Sequence, residues 1–150
     1  MRTISAVLLL ALCACSSTDP SDNRVKPEIQ IIELYGPSDL RYARGQNTLD
    51  AEYGFRIANR SAEEIKLRRI DLSSTGSGAY VIRREDRGFN VAIPADTYGD
   101  VRMNARVYFN SRGDGTVSTE PVTIRAVLYF DSPSGSFRQI LIRNLGQFAR

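Results

Sequence analysis

The chain has 150 residues, 42% of them hydrophobic, which is enough for one domain with a buried core and excludes disorder along its whole length. Twenty Lys and Arg residues against 17 Asp and Glu give a net charge of +3, too near balance for a dedicated nucleic-acid-binding protein. There is no His and no Trp, and both Cys residues lie within the first 15 positions. Imidazole catalysis, Cys/His zinc sites and disulfides inside a folded domain are therefore excluded.

The first 14 residues have the features of a secretory signal peptide. One positive charge, Arg2, precedes an apolar run from Ile4 to Leu12. That run is shorter than the roughly 20 residues of a membrane-spanning helix and has the length of a signal-peptide core. Residues 1–14 are therefore predicted to be cleaved, which removes one positive charge.

The end of this run, Leu12-Cys13-Ala14-Cys15, resembles the lipobox of bacterial lipoproteins, with Leu at position −3 and a small residue at −1. The resemblance implies that Cys15 is lipidated and anchors the chain in a membrane. Cys13 is the rival acceptor, but it would place bulky Leu12 at −1. Ser16 stands where many inner-membrane lipoproteins have Asp, so the resemblance implies an outer-membrane anchor facing the periplasm of a Gram-negative host. A plain signal peptide with incidental cysteines is the alternative.

Residues 15–26 are predicted to form a flexible tether after the lipidated Cys15. The segment from Ser16 to Asn23 is small and polar and contains Pro20. Period-two patterning starts at Pro27, so residues 27–150 are predicted to be the folded domain. No internal repeat and no second domain boundary are visible in them.

Alternating apolar and polar residues predict seven or eight strands in this domain. The predicted strands cover residues 29–35, 51–58, 65–72, 79–84, 89–93, 101–109, 121–130 and 137–145. Turn-forming segments separate them, and no segment has a helical pattern. The charges of segment 83–87 largely compensate one another, and the segment is interpreted as an exposed turn.

The third strand carries a phase slip. Ile65 and Leu67 share one face, and Ile70 and Leu72 should share the same face, but two arginines stand between the pairs. One extra residue would restore the inward face, so a β-bulge is predicted near Arg68-Arg69. Partial burial of both faces is the alternative.

The spacing of short strands predicts an all-β, antiparallel sandwich. The layout resembles an immunoglobulin- or fibronectin-type domain of seven to eight strands. The core Trp and the Cys pair of antibody domains are missing. A transthyretin-like or other Greek-key sandwich fits the pattern about as well.

Six side chains at predicted outward positions form a possible interaction face: Arg56, Arg102, Arg106, Tyr108, Arg125 and Tyr129. Arginine forks bind carboxylates and phosphates by two parallel hydrogen bonds, so such a face suits an acidic partner or an anionic polymer. The alternative is a solvated sheet face of mixed charges, since position in a fold does not establish a site.

No catalytic apparatus, metal site or cofactor is predicted. Serines occur in turns, but no His is present to activate one. The run Thr75-Gly76-Ser77-Gly78 is too short for a phosphate-binding motif. Asn59-Arg60-Ser61 matches an N-glycosylation sequon, but such a match generally does not indicate glycosylation in a bacterium.

These features predict a non-enzymatic, membrane-anchored module that docks onto another envelope protein. Edge strands or the outer Arg/Tyr face would supply the contact. One alternative is a module that binds glycan or another anionic polymer. The less favoured alternative is a hydrolase that uses carboxylates, which would need two buried, adjacent acidic side chains in a cleft.

Overall fold

A computed structural model of the chain describes residues 25–37, 47–76, 78–110 and 120–145. Cys15 and the predicted leader lie outside these ranges. The described residues form eight strands: β1 (Glu28–Tyr35), β2 (Thr48–Ala58), β3 (Ile65–Thr75), β4 (Tyr80–Ile82), β5 (Glu85–Ile93), β6 (Tyr98–Phe109), β7 (Val122–Asp131) and β8 (Phe137–Leu145). Over the same ranges, no helix has the length and apolarity needed to cross a membrane.

The strands form two antiparallel, four-stranded sheets. Sheet A has the order β1-β2-β6-β4, and sheet B has the order β5-β3-β7-β8. The pairing of β1-β2-β6 in one sheet and β3-β7-β8 in the other is that of strands A-B-E and C-F-G in immunoglobulin-type sandwiches. The predicted sandwich fold is therefore confirmed. The arrangement differs from the immunoglobulin type at β4, which forms a three-residue pairing with β6 in sheet A before the chain returns to sheet B as β5.

One hydrophobic core fills the space between the sheets. Alternate residues of the long central strands point into it, and the expected period of two is confirmed. The largest fully buried side chains are Tyr53, Phe55, Ile57, Leu67, Ile70, Leu72, Tyr80, Ile82, Ile93, Met103, Ile124 and Phe130. This packing holds β2, β6 and β7 rigidly, so their outward side chains have defined positions.

The predicted bulge in β3 is confirmed. Leu67 lies opposite Phe130 of β7 and Arg69 lies opposite Tyr129, so Arg68 has no residue opposite it. The extra residue brings both apolar pairs of β3 to the core, where all four side chains are buried. Partial burial of both faces also occurs, because outward-facing Asp71 is buried.

The prediction of an exposed turn at residues 83–87 was wrong from Glu85 onward. β5 begins at Glu85, opposite Leu72, and continues with Asp86 opposite Asp71. Charged residues are common in edge strands, which expose both a face and an edge to water, so the charge run does not interrupt pairing. β6 also begins at Tyr98, three residues before the predicted start, whereas β8 has the predicted bounds.

Asn59 closes one end of the sandwich. Its Nδ2 donates hydrogen bonds to the carbonyl oxygens of Glu63, Ile93 and Pro94 at 2.8, 3.0 and 3.1 Å. Its Oδ1 accepts from the Ser61 backbone N–H and hydroxyl at 3.1 and 2.7 Å. The side chain is fully buried. This sequon asparagine therefore has a structural role, and its amide is inaccessible to glycosylation in the folded domain.

Candidate functional site

The structure divides the six residues of the predicted face between two opposite surfaces. Arg56, Arg102, Arg106 and Tyr108 lie on the outer face of sheet A, whereas Arg125 and Tyr129 lie on β7, on the outer face of sheet B. The prediction of one common face was therefore wrong. Strand alternation determines whether a side chain points outward, but not which sheet its strand joins.

On sheet A, two of the predicted arginines are paired with carboxylates directly across from them. Arg56 of β2 lies opposite Asp100 of β6, and its Nε and Nη2 donate to the two Asp100 oxygens at 2.9 and 3.0 Å. Arg106 of β6 pairs likewise with Asp50 of β2, at 2.9 and 3.4 Å. Direct cross-strand partners hold each pair in register.

These hydrogen bonds lower the pKa of Asp50 and of Asp100 below the ordinary value of an aspartate. Both carboxylates are therefore charged at neutral pH and compensate the neighbouring guanidinium groups. Arg102 differs from the other two arginines. Its Nη1 lies 3.6 Å from Glu52 Oε1, and its side chain is 72% exposed, so it is the most exposed arginine of the predicted set.

The row of residues that contains Arg102 has no side chain at its centre. Ile32 of β1 lies opposite Gly54 of β2, and Gly54 lies opposite Arg102 of β6. The glycine leaves a depression between an isoleucine on one side and an arginine on the other. Leu34, on the bulged end of β1, leans over the glycine from the same side.

This depression is a shallow groove of about 200 Å³, lined by Ile32, Leu34, Gly54, Arg56, Asp100 and Arg102 among others. Ile32 and Leu34 are 50% and 45% exposed and lie on the outer face of β1, which is an edge strand of sheet A. An apolar wall beside an arginine wall can hold an apolar side chain whose neighbour carries a carboxylate. We call this surface the Gly54 groove.

On sheet B, the predicted residue Tyr129 belongs to a polar cluster around Asp71. The Tyr129 hydroxyl donates to Asp71 Oδ2 at 3.2 Å, and Arg84 Nη2 donates to the same oxygen at 2.8 Å. Arg69 Nε lies 2.9 Å from Oδ1 as an ion pair, and its guanidinium lies 4.2 Å from the centre of the Tyr129 ring. Two arginines thus compensate the buried charge of Asp71, but only its Oδ2 accepts hydrogen bonds of good geometry from the described residues.

Among the described residues, the buried carboxylate Asp71 does not form the adjacent acidic pair that the hydrolase alternative needs. Buried Asp71 lies opposite Asp86, but Asp86 is exposed, and Asp71 is already bound by two arginines. Over residues 25–37, 47–76, 78–110 and 120–145, no three His, Cys, Asp or Glu side chains are grouped so as to hold a metal ion.

Two tyrosines are buried at the core end near Glu33. Burial raises the pKa of Tyr80 to about 12, and the negative charge of Glu33 adds to this rise. Burial also raises the pKa of Tyr53, together with the adjacent Tyr80. Within the described part of the chain neither hydroxyl makes a hydrogen bond of good geometry. Since both side chains are almost fully buried, they belong to the core rather than to a surface site.

Sequence reasoning missed the Gly54 groove. Its signal is present, since Ile32 and Leu34 are apolar at positions that alternate with the inward Ile29 and Ile31. Apolar residues on both faces of a strand suggest an outer surface that meets something else. The glycine opposite them becomes meaningful only when the register of β1 against β2 is known.

No protein-family model matches the chain, and no curated protein matches it in sequence. Among solved structures, the chain is similar to the X-ray structure of a Northeast Structural Genomics Consortium target. The TM-score is 0.50 at 15% identity, and the match covers 83% of this chain and 85% of that one. A protein from Archaeoglobus fulgidus matches with a TM-score of 0.48 at 7% identity, over 80% of this chain and 94% of that one. At 15% identity the first likeness supports the sandwich fold alone.

Proposed function

We propose that this chain is a lipid-anchored protein of the bacterial envelope whose sandwich docks, without catalysis, onto another envelope protein. The Gly54 groove carries the proposal. It places exposed Ile32 and Leu34 beside exposed Arg102 on a sheet face whose other arginines are neutralised by carboxylates. Exposed apolar residues next to a weakly held cation are typical of a protein-binding surface.

The groove defines the chemistry of the partner segment. An apolar side chain would be buried against Ile32 and Leu34, with the depression over Gly54 receiving it. A carboxylate next to that side chain would bind Arg102 in place of Glu52, whose ion pair with Arg102 is long at 3.6 Å. Because a guanidinium binds a carboxylate best through two parallel hydrogen bonds, the partner gains both affinity and orientation from this contact.

The membrane anchor in this proposal is the lipid on Cys15. Its support is the lipobox resemblance of residues 12–15, and residues 16–26 would act as the tether. Each buried methylene of the acyl chains contributes about 0.8 kcal/mol, so several chains anchor durably. The absence of Asp at residue 16 favours the outer membrane, with the sandwich facing the periplasm.

Mass spectrometry of the mature N-terminus and membrane fractionation test the anchor. The expected mature chain begins at a triacylated Cys15 and sediments with outer membranes. The Cys15→Ser variant should lose the lipid and leave the membrane fraction. A Cys15→Ser chain that matures normally and stays with membranes would refute the anchor without bearing on the groove.

Crosslinking in intact envelopes, followed by purification of a tagged full-length chain from detergent extracts, tests the docking. The wild-type chain should recover a partner protein, and the Leu34→Ser and Arg102→Glu variants should lose at least about nine-tenths of it, since each removes one wall of the groove. Arg125→Glu is the matched control: it makes the same charge change on the outer face of sheet B and should leave recovery unchanged.

Recovery of the lipoprotein alone, or equal loss in Arg102→Glu and Arg125→Glu, would overturn the docking proposal. If a partner is recovered, the purified partner must also bind the purified chain, and the Leu34→Ser and Arg102→Glu variants must weaken that binding. If no protein is recovered but the chain binds peptidoglycan or lipopolysaccharide, and an Arg102→Ala/Arg106→Ala variant loses that binding, the anionic-polymer alternative replaces the proposal.

A further inference from the structure

β8 is a long, regular edge strand. It is one of the two outer strands of sheet B, and all nine residues from Phe137 to Leu145 pair with β7 without a register shift. The other edge strands of the described sheets are less regular: β4 has three residues, and β1 and β5 each contain a register shift. A straight edge with unpaired backbone groups is a template for another strand.

The outer face of β8 carries two exposed isoleucines. Ile140 and Ile142 are 47% and 62% exposed and lie opposite Val127 and Arg125 of β7. β8 contains no proline, bulge or lysine; its only charged residues are Arg138 and Arg143, which stand two or more positions from Leu141. No described strand pairs with the outer edge of β8, so exposed apolar side chains stand beside an edge that another strand can extend.

The sequence of β8 is symmetric in polarity about Leu141. Its nine residues are Phe-Arg-Gln-Ile-Leu-Ile-Arg-Asn-Leu. The neighbours on each side of Leu141 are isoleucines, the next two positions outward are polar on both sides, and both ends are apolar. An antiparallel strand running past β8 with this same residue at the centre would match like with like at every position.

We propose that β8 pairs with β8 of a second copy of this chain, antiparallel and about a two-fold axis through Leu141. The two B sheets then form one continuous sheet across the interface. This interface lies on sheet B and is independent of the Gly54 groove on sheet A, so the inference goes beyond the proposed docking function. A two-fold interface needs one self-complementary patch, which β8 supplies.

Side-chain matching selects this register. Ile140 lies opposite Ile142 of the second copy, and the symmetry repeats the pair, so four exposed isoleucines form two adjacent cross-strand pairs on one face. Arg138 lies opposite an asparagine and Arg143 opposite a glutamine, so no like charges meet. Moving the axis to Ile140 would set Arg138 opposite Ile142, and moving it to Ile142 would set Ile140 opposite Asn144.

Cysteine crosslinking in the envelope tests the register. In an Ile140→Cys/Ile142→Cys variant each cysteine lies opposite a cysteine of the second copy. The Cα–Cα distance of directly opposed strand residues is about 4.5–5.5 Å, which a disulfide can span, so mild oxidant should give a disulfide-linked dimer on a non-reducing gel. The single variants Ile140→Cys and Ile142→Cys should give no disulfide-linked dimer, because each cysteine is then two positions along the strand from the same cysteine of the second copy. The unmodified chain supplies the baseline for Cys15.

A matched control is available on the other edge of sheet B. Asn90 and Ala92 have the same spacing on β5 and are exposed. An Asn90→Cys/Ala92→Cys variant reports random collisions and should give no more dimer than the unmodified chain. Equal crosslinking in this control, or in the single variants, would overturn the proposed pairing.

Sedimentation of the purified full chain in detergent measures the association itself. The wild-type chain should be a dimer, and Ile142→Lys should weaken self-association by about a hundredfold or more, since it sets a charge against an isoleucine. Circular dichroism must show an unchanged fold, which exposure of residue 142 favours. A monomeric wild type, or a dimer that Ile142→Lys leaves intact, would refute the proposal, while partner recovery through the Gly54 groove remains a separate measurement.

Discussion

The Leu34 side chain lies over Gly54: a Cβ added at residue 54 would come within 3.2 Å of Leu34 Cδ1 and 3.3 Å of Leu34 Cγ. The glycine thus lets an apolar side chain of β1 fold across the sheet surface without collision. The depth of the Gly54 groove depends on this contact. Because Leu34 is half-exposed, it can move outward if the space is filled, so the groove can be altered without disturbing the core.

Gly54→Ala should therefore separate binding from stability. The added methyl displaces Leu34 and narrows the groove, so partner recovery should fall several-fold. The free energy of unfolding in urea should change by less than about 1 kcal/mol. Alanine lowers the conformational entropy of the unfolded chain, and this gain offsets the cost of the close contact between the new Cβ and Leu34. Gly88→Ala is the control, since the nearest atom to its Cβ is the Arg68 carbonyl oxygen at 4.0 Å. Unchanged partner recovery in Gly54→Ala would argue that the groove is not the docking site.

Asn59→Ala should destabilise the domain by about 3 kcal/mol, because three buried or partly buried carbonyl oxygens lose their donor. Ser61→Ala removes a hydroxyl at the more open side of the same turn and should cost about 1 kcal/mol. Urea unfolding of the two variants gives the comparison. Equal effects would mean that Asn59 acts only through Ser61.

Alkaline pH should destabilise the fold through Tyr53 and Tyr80. Their pKa values are raised in the folded chain, Tyr80 to about 12, whereas unfolded tyrosines titrate near 10. The folded state therefore retains protons that the unfolded state releases, and stability falls as pH rises above about 10, by up to about 1.4 kcal/mol per pH unit for each tyrosine.

The Tyr53→Phe variant tests this pH dependence. Its free energy of unfolding should fall less steeply with pH than that of the wild type, and absorbance at 295 nm should show fewer tyrosines ionising only on unfolding. Tyr98→Phe serves as the control, because the Tyr98 side chain is exposed on the surface of sheet A. Parallel slopes in wild type and Tyr53→Phe would contradict the burial argument.

Acidification should weaken the Arg56–Asp100 and Asp50–Arg106 pairs. The pKa of each aspartate is lowered in the folded chain, so below about pH 4 the unfolded state binds more protons than the folded state and stability falls. In an Asp50→Asn/Asp100→Asn variant the fall between neutral and acidic pH should be smaller. The difference should shrink in 1 M salt, as for any exposed pair. Glu63→Gln/Glu64→Gln, which removes two exposed carboxylates elsewhere, controls for net charge.

Local patterning predicts the individual strands of this chain well. β8 has its predicted bounds, and the bulge at Arg68 follows from two apolar pairs that would otherwise fall on opposite faces. Both predictions depend on neighbours within a few residues, and alternation carries that information. The run at residues 83–87 misled the prediction because charge is compatible with an edge strand as well as with a turn.

The surfaces could not be predicted in the same way. Arg102 and Arg125 both alternate outward, yet they lie on opposite sides of the molecule because β6 and β7 belong to different sheets. The row of Ile32, Gly54 and Arg102 joins residues from three strands, and its members become neighbours only through the register of those strands. Long-range pairing of this kind is set by packing rather than by local propensity.

The bulge at Arg68 makes the shape of sheet B depend on one removable amino acid. Without residue 68 the two halves of β3 would join in strict alternation, and the ladder to β7 would run without a break. The chain would forgo the contacts of Arg68 with Asp131 and Asn90, at 2.9 and 3.2 Å. Since a bulge sharpens the local right-handed twist, the β3–β7 pair of a chain shortened by this residue would be less twisted, whereas the β3–β5 pair would keep its register shift.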